Sequence, residues 1–304
     1  MIVVGGEALY DLVAHEDETI AAHPGGGPFN TARTIARLEQ PVAFLGRLST
    51  DRFGATHERM LLGDGVSLAA TRRSDAPTTL ALAELDRERH ARYRFYAAGT
   101  ASVSLEPAEA LAALPDGLDT LHVGTLGLVF EPIASALEAV VEHVHESALV
   151  ALDPNCRPEA IDDEAAYRAR LGRILRRTHL LKLSEEDLAW LVPGREPLDA
   201  ARAMLDAGPA VVLLTRGSEG AVVISPTAET HVAAPAVDVV DTIGAGDAFG
   251  GGFLAWWRGR GLGRQQLAEH DPVVEGTRFA ARVAAITCAR AGAAPPRLAD
   301  LEDV

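Results

Sequence analysis

The chain has 304 residues, 28 basic against 43 acidic side chains for a formal charge of −15, and a hydrophobic fraction of 48%, enough for one large α/β domain. Such acidity argues against nucleic acid as a partner, because binding a phosphate backbone needs a basic face, and no apolar run reaches the roughly 20 residues that cross a bilayer. Lys182 is the only lysine, which excludes a Gly-Lys-Ser/Thr phosphate loop, and Cys156 and Cys288 are too few for a disulfide framework or a zinc site. With no basic stretch before the first apolar run at Met1, the expectation is a cytoplasmic protein without membrane or nucleic-acid partners.

Short apolar runs at residues 2–4, 42–45, 120–123, 149–152, 179–183 and 210–214 predict buried strands. Helical patterns lie between them. In residues 132–145, Ile133, Leu137, Val140, Val141 and Val144 share one face, and residues 167–177 and 198–207 read similarly. Strand and helix in alternation predict an α/β fold, a mainly parallel sheet covered on both faces in three layers. Residues 8–14 and 68–98 break the rhythm with half-exposed alternation, and residues 79–85 and 92–96 flank a charged turn at 86–90 in a hairpin pattern. The expected organisation is one domain over residues 1–304, with lid strands at about 8–22 and 68–98 inserted in it.

Several strings carry polar chemistry. Gly6-Glu7-Ala8-Leu9-Tyr10-Asp11 follows the first strand, and an ionised Asp11 can accept from two adjacent hydroxyls; a solvated strand-end carboxylate reads the same way. In residues 23–32, Gly25-Gly26-Gly27 permits close backbone approach to a ligand, while Asn30 supplies both a donor and an acceptor; a plain turn with Asn30 at a helix start is the alternative. His122-Val123-Gly124-Thr125-Leu126 sits at a strand end, where doubly wound sheets place ligands. Asp153-Pro154-Asn155-Cys156-Arg157 ends the next strand: Asp153 and Asn155 could order the water shell of a cation such as Mg²⁺ and Arg157 could neutralise phosphate charge, with a simple Asp-Pro turn and a solvated arginine as the alternative. Lys182-Leu183-Ser184-Glu185-Glu186-Asp187 is also a good helix cap. Thr215-Arg216-Gly217-Ser218-Glu219-Gly220 is a glycine turn, and Ala284, Ala285 and Cys288 share a face of a helix over residues 273–289.

The most informative stretch is Asp241-Thr242-Ile243-Gly244-Ala245-Gly246-Asp247, ahead of an apolar helical pattern through Phe249, Phe253, Leu254 and Trp257. Glycines and a helix start turn backbone N–H groups toward one point, which suits phosphate. An acid among those donors suits a general base for an attacking hydroxyl. Taken alone, the string also reads as a turn with Asp247 starting the helix.

Together the 241–249 and 23–32 strings resemble the two signatures of the ribokinase-like (PfkB) carbohydrate kinases, and the weaker strings resemble the fructokinase-like branch over nearly the whole chain. The resemblance implies ATP-dependent phosphorylation of a primary hydroxyl on a small sugar, fructose first. 2-Keto-3-deoxygluconate, which needs a cation such as Arg92 or Arg94 facing its carboxylate, is the alternative, with a pentose or nucleoside behind it. It implies Asp247 as base, an anion hole of Gly244, Ala245 and Gly246, and Arg157 beside it. Asp11, Gly26, Gly27, Asn30 and Thr125 would hold the sugar. Lys182, Thr215, Gly217, Gly220 and Cys288 would meet the nucleotide. Asp153, Asn155 and Asp187 would handle Mg²⁺, and Asp241 a monovalent cation (K⁺) as in some relatives. A homodimer joined through the lid is a further expectation. Ser184 and Asp187 depart from the family's Asn-x-x-Glu, which leaves a non-catalytic sugar- or nucleotide-sensing relative as the reading from a different class.

Overall fold

The computed structural model describes residues 1–14, 19–85 and 91–301. The charged turn expected at residues 86–90 lies outside that description, as does the Arg92 side chain. Strand β1 (Ile2–Gly5) leads into β2 (Leu9–Ala14) and β3 (Ile20–Gly25), and helix α1 (Gly27–Arg37) starts directly from β3. Then follow β4 (Val42–Ser49), α2 (Arg52–Asp64), β5 (Thr71–Ser74), β6 (Thr79–Leu85), β7 (Ala91–Tyr96) and α3 (Pro107–Ala112). The middle of the chain alternates strand and helix: β8 (Thr120–Gly124), α4 (Ile133–Val144), β9 (Leu149–Asp153), α5 (Glu164–Leu175), β10 (Leu180–Ser184), α6 (Glu185–Leu191), α7 (Pro197–Leu205) and β11 (Val211–Thr215). The hairpin β12 (Ala221–Ile224) and β13 (Glu229–Val232) precedes two long helices, α8 (Ala245–Gly259) and α9 (His270–Cys288).

The large sheet has the order β13-β12-β11-β10-β9-β8-β1-β4-β5, parallel from β5 to β11 and antiparallel at the β12–β13 edge. Both faces are covered, so successive strand residues alternate between two cores. Ile2 and Val4 pack with Phe29, Phe253 and Trp257 beneath α1, α2, α8 and α9. Val3 packs with Leu121, Leu137 and Leu171 beneath α3 to α7. That burial on both faces is why the strands are short continuous apolar runs in sequence. Among the described residues no helix is long and apolar enough to cross a membrane.

The lid is a second sheet of order β3-β2-β6-β7. β2 pairs β3 and β6 pairs β7 antiparallel, with a parallel β2–β6 seam between the hairpins. The 68–98 stretch divides between the two sheets. Its first strand, β5, pairs β4 in the large sheet, and only β6 and β7 join the lid.

β1 is the topological switch point, since the chain runs from it to β4 on one side and β8 on the other. Ligands of such sheets bind beyond the carboxyl ends of the strands at that point. Here the lid leaves the sheet at the same place, through Ala8 and Leu9. The Ala8 carbonyl accepts from Ser102 Oγ, and the Leu9 carbonyl is 2.9 Å from His57 Nε2. Beneath it, Leu137 on α4 fills the space that Gly5 and Gly127 leave open, because a Cβ on either would lie 2.8 or 2.9 Å from a Leu137 methyl. Replacing this fully buried leucine by alanine is expected to lower stability by about 2–5 kcal/mol. Equilibrium denaturation should show an earlier midpoint at an unchanged slope; an unmoved midpoint would mean that α4 does not brace the switch point.

Candidate active site

A cavity of about 380 Å³ lies between the lid and the carboxyl ends of the parallel strands. The lid lines it with Asp11 from β2, Ala81 and Ala83 from β6, and Tyr93 and Phe95 from β7. Arg94 is exposed and lies between two cavity-lining neighbours, so strand alternation puts it on the outer face. The body contributes Glu7, Gly26, Gly27, Asn30, Thr125, Asn155, Arg157, Lys182 and the 242–247 turn. Residues far apart in sequence thus meet at one place.

Asp247 sits in the first turn of α8, buried, with Oδ2 accepting from Asn30 Nδ2 at 2.9 Å. Burial raises its pKa, while the Asn30 hydrogen bond and the charges of Lys182 and Arg157 work in the opposite direction. Oδ1 faces Gly27, on which a Cβ would stand 3.1 Å away. Asn30 Oδ1 is buried without a hydrogen-bond partner. The cavity therefore presents a carboxylate oxygen and an open acceptor side by side. Glycine is required at 26 as well, where φ is 108° and a Cβ would lie 2.7 Å from the Glu7 carbonyl oxygen.

The turn ahead of Asp247 differs from expectation in one donor. Gly244 has φ 75° and ψ 4°, the conformation that a type II turn demands of glycine at its third position. The turn closes by Ala245 N–H donating to the Thr242 carbonyl at 3.2 Å. The Ala245 donor is thereby engaged inside the turn and Ala245 does not line the cavity, whereas Gly244 and Gly246 do. A Cβ on Gly246 would stand 3.0 Å from Lys182 Nζ, so a side chain there would fill the space beside the lysine.

Glu7 belongs to this site, and the Gly-Glu-x-x-x-Asp string directed attention only to its Asp. The Glu7 carboxyl is buried, accepts from Gly127 N–H at 2.8 Å and from Thr125 Oγ1, and so holds Thr125 in a left-handed conformation with φ 55°. Burial pushes Glu7 up to about 7, against those hydrogen bonds and with a contribution from Asp247. Asp11 rises to about 6 through burial and the Asp247 charge, partly offset by Arg157.

On the far side of Asp247, Lys182 Nζ donates to Asp153 Oδ2 at 2.8 Å in a buried pair. Burial works against a charged Lys182, but Asp153, Asp187 and Asp247 outweigh it and the net shift is upward. Burial raises Asp153 to about 6 despite its lysine partner. Asp187 accepts from the Ser184 N–H and hydroxyl and, through Oδ1, from Cys156 N–H at 2.6 Å. Ser184 and Asp187 form a capping box for α6, and Asp187 does not line the cavity. Asn155, at φ 40°, and Arg157 do line it.

The remaining sequence candidates lie away from the cavity. Thr215 Oγ1 donates to the Leu183 carbonyl at 3.1 Å beside Ser184. Gly220 is required by the fold, since a Cβ would meet the Val232 carbonyl oxygen at 2.1 Å; Gly217, at φ 53°, has open space around it. The Cys288 carbonyl accepts from Val240 and Asp241 N–H groups at the end of α9. Asp241 accepts from Ile243 and Gly292 N–H groups, so its carboxylate serves the loops. Among the described residues no group of three or more His, Cys, Asp or Glu side chains could hold a metal ion. Asp153 does not itself line the cavity, but its Oδ1, buried and without a partner, is an acceptor suited to the water shell of a magnesium ion that takes most other ligands from phosphate.

The chain is similar in sequence and in fold to known fructokinases. A fructokinase of Rhizobium leguminosarum bv. trifolii is 33% identical over 259 residues, 84% of this chain and 79% of that protein. An Escherichia coli fructokinase is 34% identical over 262 residues, 84% of each chain. The crystal structure of a Xylella fastidiosa fructokinase with bound ATP matches with a TM-score of 0.89 at 26% identity, over 99% of this chain and 97% of that one. That of a Vibrio cholerae O395 fructokinase with fructose, ADP and calcium ion gives 0.85 at 27% identity over the same shares. Residues 1–300 match the pfkB family carbohydrate kinase pattern, and the chain belongs to that family.

Proposed function

We propose that the protein is an ATP-dependent sugar kinase that phosphorylates a primary hydroxyl of fructose. The observation that carries this is Asp247, buried at the head of α8 with Asn30 on one oxygen and the other facing the lid-covered cavity. The sugar lies under the lid against Asp11, Asn30 and the Gly26–Gly27 backbone. Its attacking hydroxyl gives its proton to Asp247 Oδ1 as the oxygen bonds to phosphorus and the bond to the ADP oxygen breaks. Gly244 and Gly246 N–H groups, the α8 dipole, Lys182 and Arg157 face the charge that builds on the transferred group. Thr215, Gly217, Gly220 and Cys288 belong to the nucleotide side of this reading. Mg²⁺, held through water by Asp153 and Asn155, would shield the phosphate charge; Asp187 contributes by fixing the 153–157 loop. No step is assigned to a monovalent cation at Asp241.

Fructose stands ahead of 2-keto-3-deoxygluconate because Arg94 lies on the outer face of the lid, and among the described residues the cations lining the cavity are Arg157 and Lys182, on the side assigned to the phosphoryl group. A cytoplasmic location fits the free thiols of Cys156 and Cys288. A homodimer through the lid is supported by exposed Ile20 and Tyr96 on its strands.

A coupled ADP-release assay across fructose, 2-keto-3-deoxygluconate, ribose, tagatose and adenosine tests the reading. Turnover is expected with fructose above all others, and activity confined to the keto acid would replace the substrate assignment. Asp247→Asn should fold and bind fructose but lose about 10²–10⁴-fold in kcat; near wild-type turnover would remove Asp247 from the role of base.

The pH profile follows from the raised carboxyl groups. The base works only when ionised, so an upward shift moves the loss of activity to higher pH than an ordinary carboxylate's ~4. Asp247 is raised by burial, and its neighbours titrate at about 7 for Glu7 and about 6 for Asp11 and Asp153. kcat/KM for fructose is therefore expected to fall as pH drops through this 7-to-6 window, with apparent midpoints that belong to the cluster rather than to one residue. A profile flat down to pH ~5 would contradict the desolvated site.

A further inference from the structure

Behind the Gly244 turn lies a buried ionic cluster that the chemistry above does not use. Asp64 ends α2, and its carboxylate accepts from Arg33 Nε at 2.7 Å and Arg37 Nε at 2.8 Å, both arginines on α1. A carboxylate at a helix carboxyl end opposes the dipole. Taking it out of water beside Arg33 adds a desolvation cost that apolar side chains of similar volume avoid. Only 6% of the Asp64 side chain and 5% of the Arg33 side chain are exposed, so packing alone does not explain the cluster.

The other arms of the two guanidinium groups show what the cluster holds. Arg33 Nη1 donates to the Ala293 carbonyl at 3.3 Å and Arg37 Nη1 to the Pro295 carbonyl at 2.6 Å. The same irregular segment is held from its other side by Gly292 N–H donating to Asp241 Oδ2 at 2.9 Å. Between these anchors the Ala293 methyl sits against Gly244, 2.6 Å from where a Gly244 Cβ would be. Arg33 also stands three residues after Asn30, on an adjoining part of the same helix surface. One rigid helix thereby fixes Asp247 through Asn30 and the back of the Gly244 turn through Arg33 and Ala293.

We propose that Arg33, Arg37 and Asp64 are positioning residues for phosphoryl transfer, setting the Gly244 turn relative to Asp247 through the 292–295 segment. This rests on the assignment of that turn as the anion hole. The turn acts on charge present mainly in the transition state, so loosening it should lower kcat and leave fructose binding alone.

Two variants test this from different ends. Arg33→Lys keeps the charge but loses the fork that reaches Asp64 and Ala293 together. Ala293→Gly removes only the methyl against Gly244 and leaves every ion pair in place. In each, kcat measured well below the melting temperature is expected to fall by about tenfold or more, since misplacement by about 1 Å costs about 10²-fold, with fructose KM held within about twofold. The double variant should lose less than the product of the single losses, because both act through one segment. If either folded variant keeps kcat within about twofold of wild type while only its melting temperature drops, the cluster is a structural tether and the inference fails; should Arg33→Lys not fold, Ala293→Gly decides. Wild-type protein with no ADP release on any sugar would instead overturn the kinase reading, and the positioning role with it.

Discussion

The constraint on which the site depends is the burial of Asp247. A carboxylate out of water favours its protonated form, yet the role of base proposed for Asp247 requires it to be ionised and within reach of its proton. Three features resolve this locally. The carboxylate lies in the first turn of α8, at the positive end of a long helix. Lys182 and Arg157 supply positive charge, and Asn30 donates to one oxygen. The other oxygen is left toward the cavity. The lid covers the cavity, and Ala81, Ala83 and Phe95 give that ceiling an apolar surface.

The sheet explains why these groups meet. β1 is an interior strand, buried on both faces, and both the lid and the switch in strand order begin at its carboxyl end. Gly6 and Gly26 bring two chain reversals close together there: a Gly6 Cβ would overlap the Pro28 ring at 2.2 Å, and a Gly26 Cβ the Glu7 carbonyl. Helix α1 can therefore start against the first strand's end with Asn30 inside the cavity. Glu7 fastens this corner to the β8 loop through Thr125 and Gly127. The two sides of the cavity are then two edges of one packed unit.

Much of this was legible in the sequence for identifiable reasons. The parallel strands appear as apolar runs because both of their faces are buried, and Asp247, Asn30 and Gly26–Gly27 lie in strings whose glycines have steric causes. The place of Thr71–Ser74 in the large sheet was not recoverable, because this short edge strand is polar throughout, with no buried position and no apolar run to mark it. Glu7 was visible only as a neighbour of Asp11, since desolvation and long-range hydrogen bonds define its role. The engagement of Ala245 N–H within its own turn depends on backbone geometry that the string does not specify. The Arg33–Asp64 contact joins residues 31 apart with no periodic signature.

The Ser184–Asp187 string shows how one residue can look like a ligand and act as a frame. Read from sequence, the shorter acid in place of Glu weakens a metal-binding carry-over by one methylene of reach. In the structure its oxygens meet the Ser184 backbone and hydroxyl at the head of α6 and the Cys156 backbone across the β9 loop. The shorter side chain suits partners that lie this close, and the bond to Cys156 holds Asn155 and Arg157 where they line the cavity. The departure thus leaves Lys182 and Arg157 lining the cavity and keeps the loop that carries Arg157 in place. A sequence difference at this motif is therefore compatible with an intact site, because the part that must be conserved physically is the position of the loop rather than the identity of the acid.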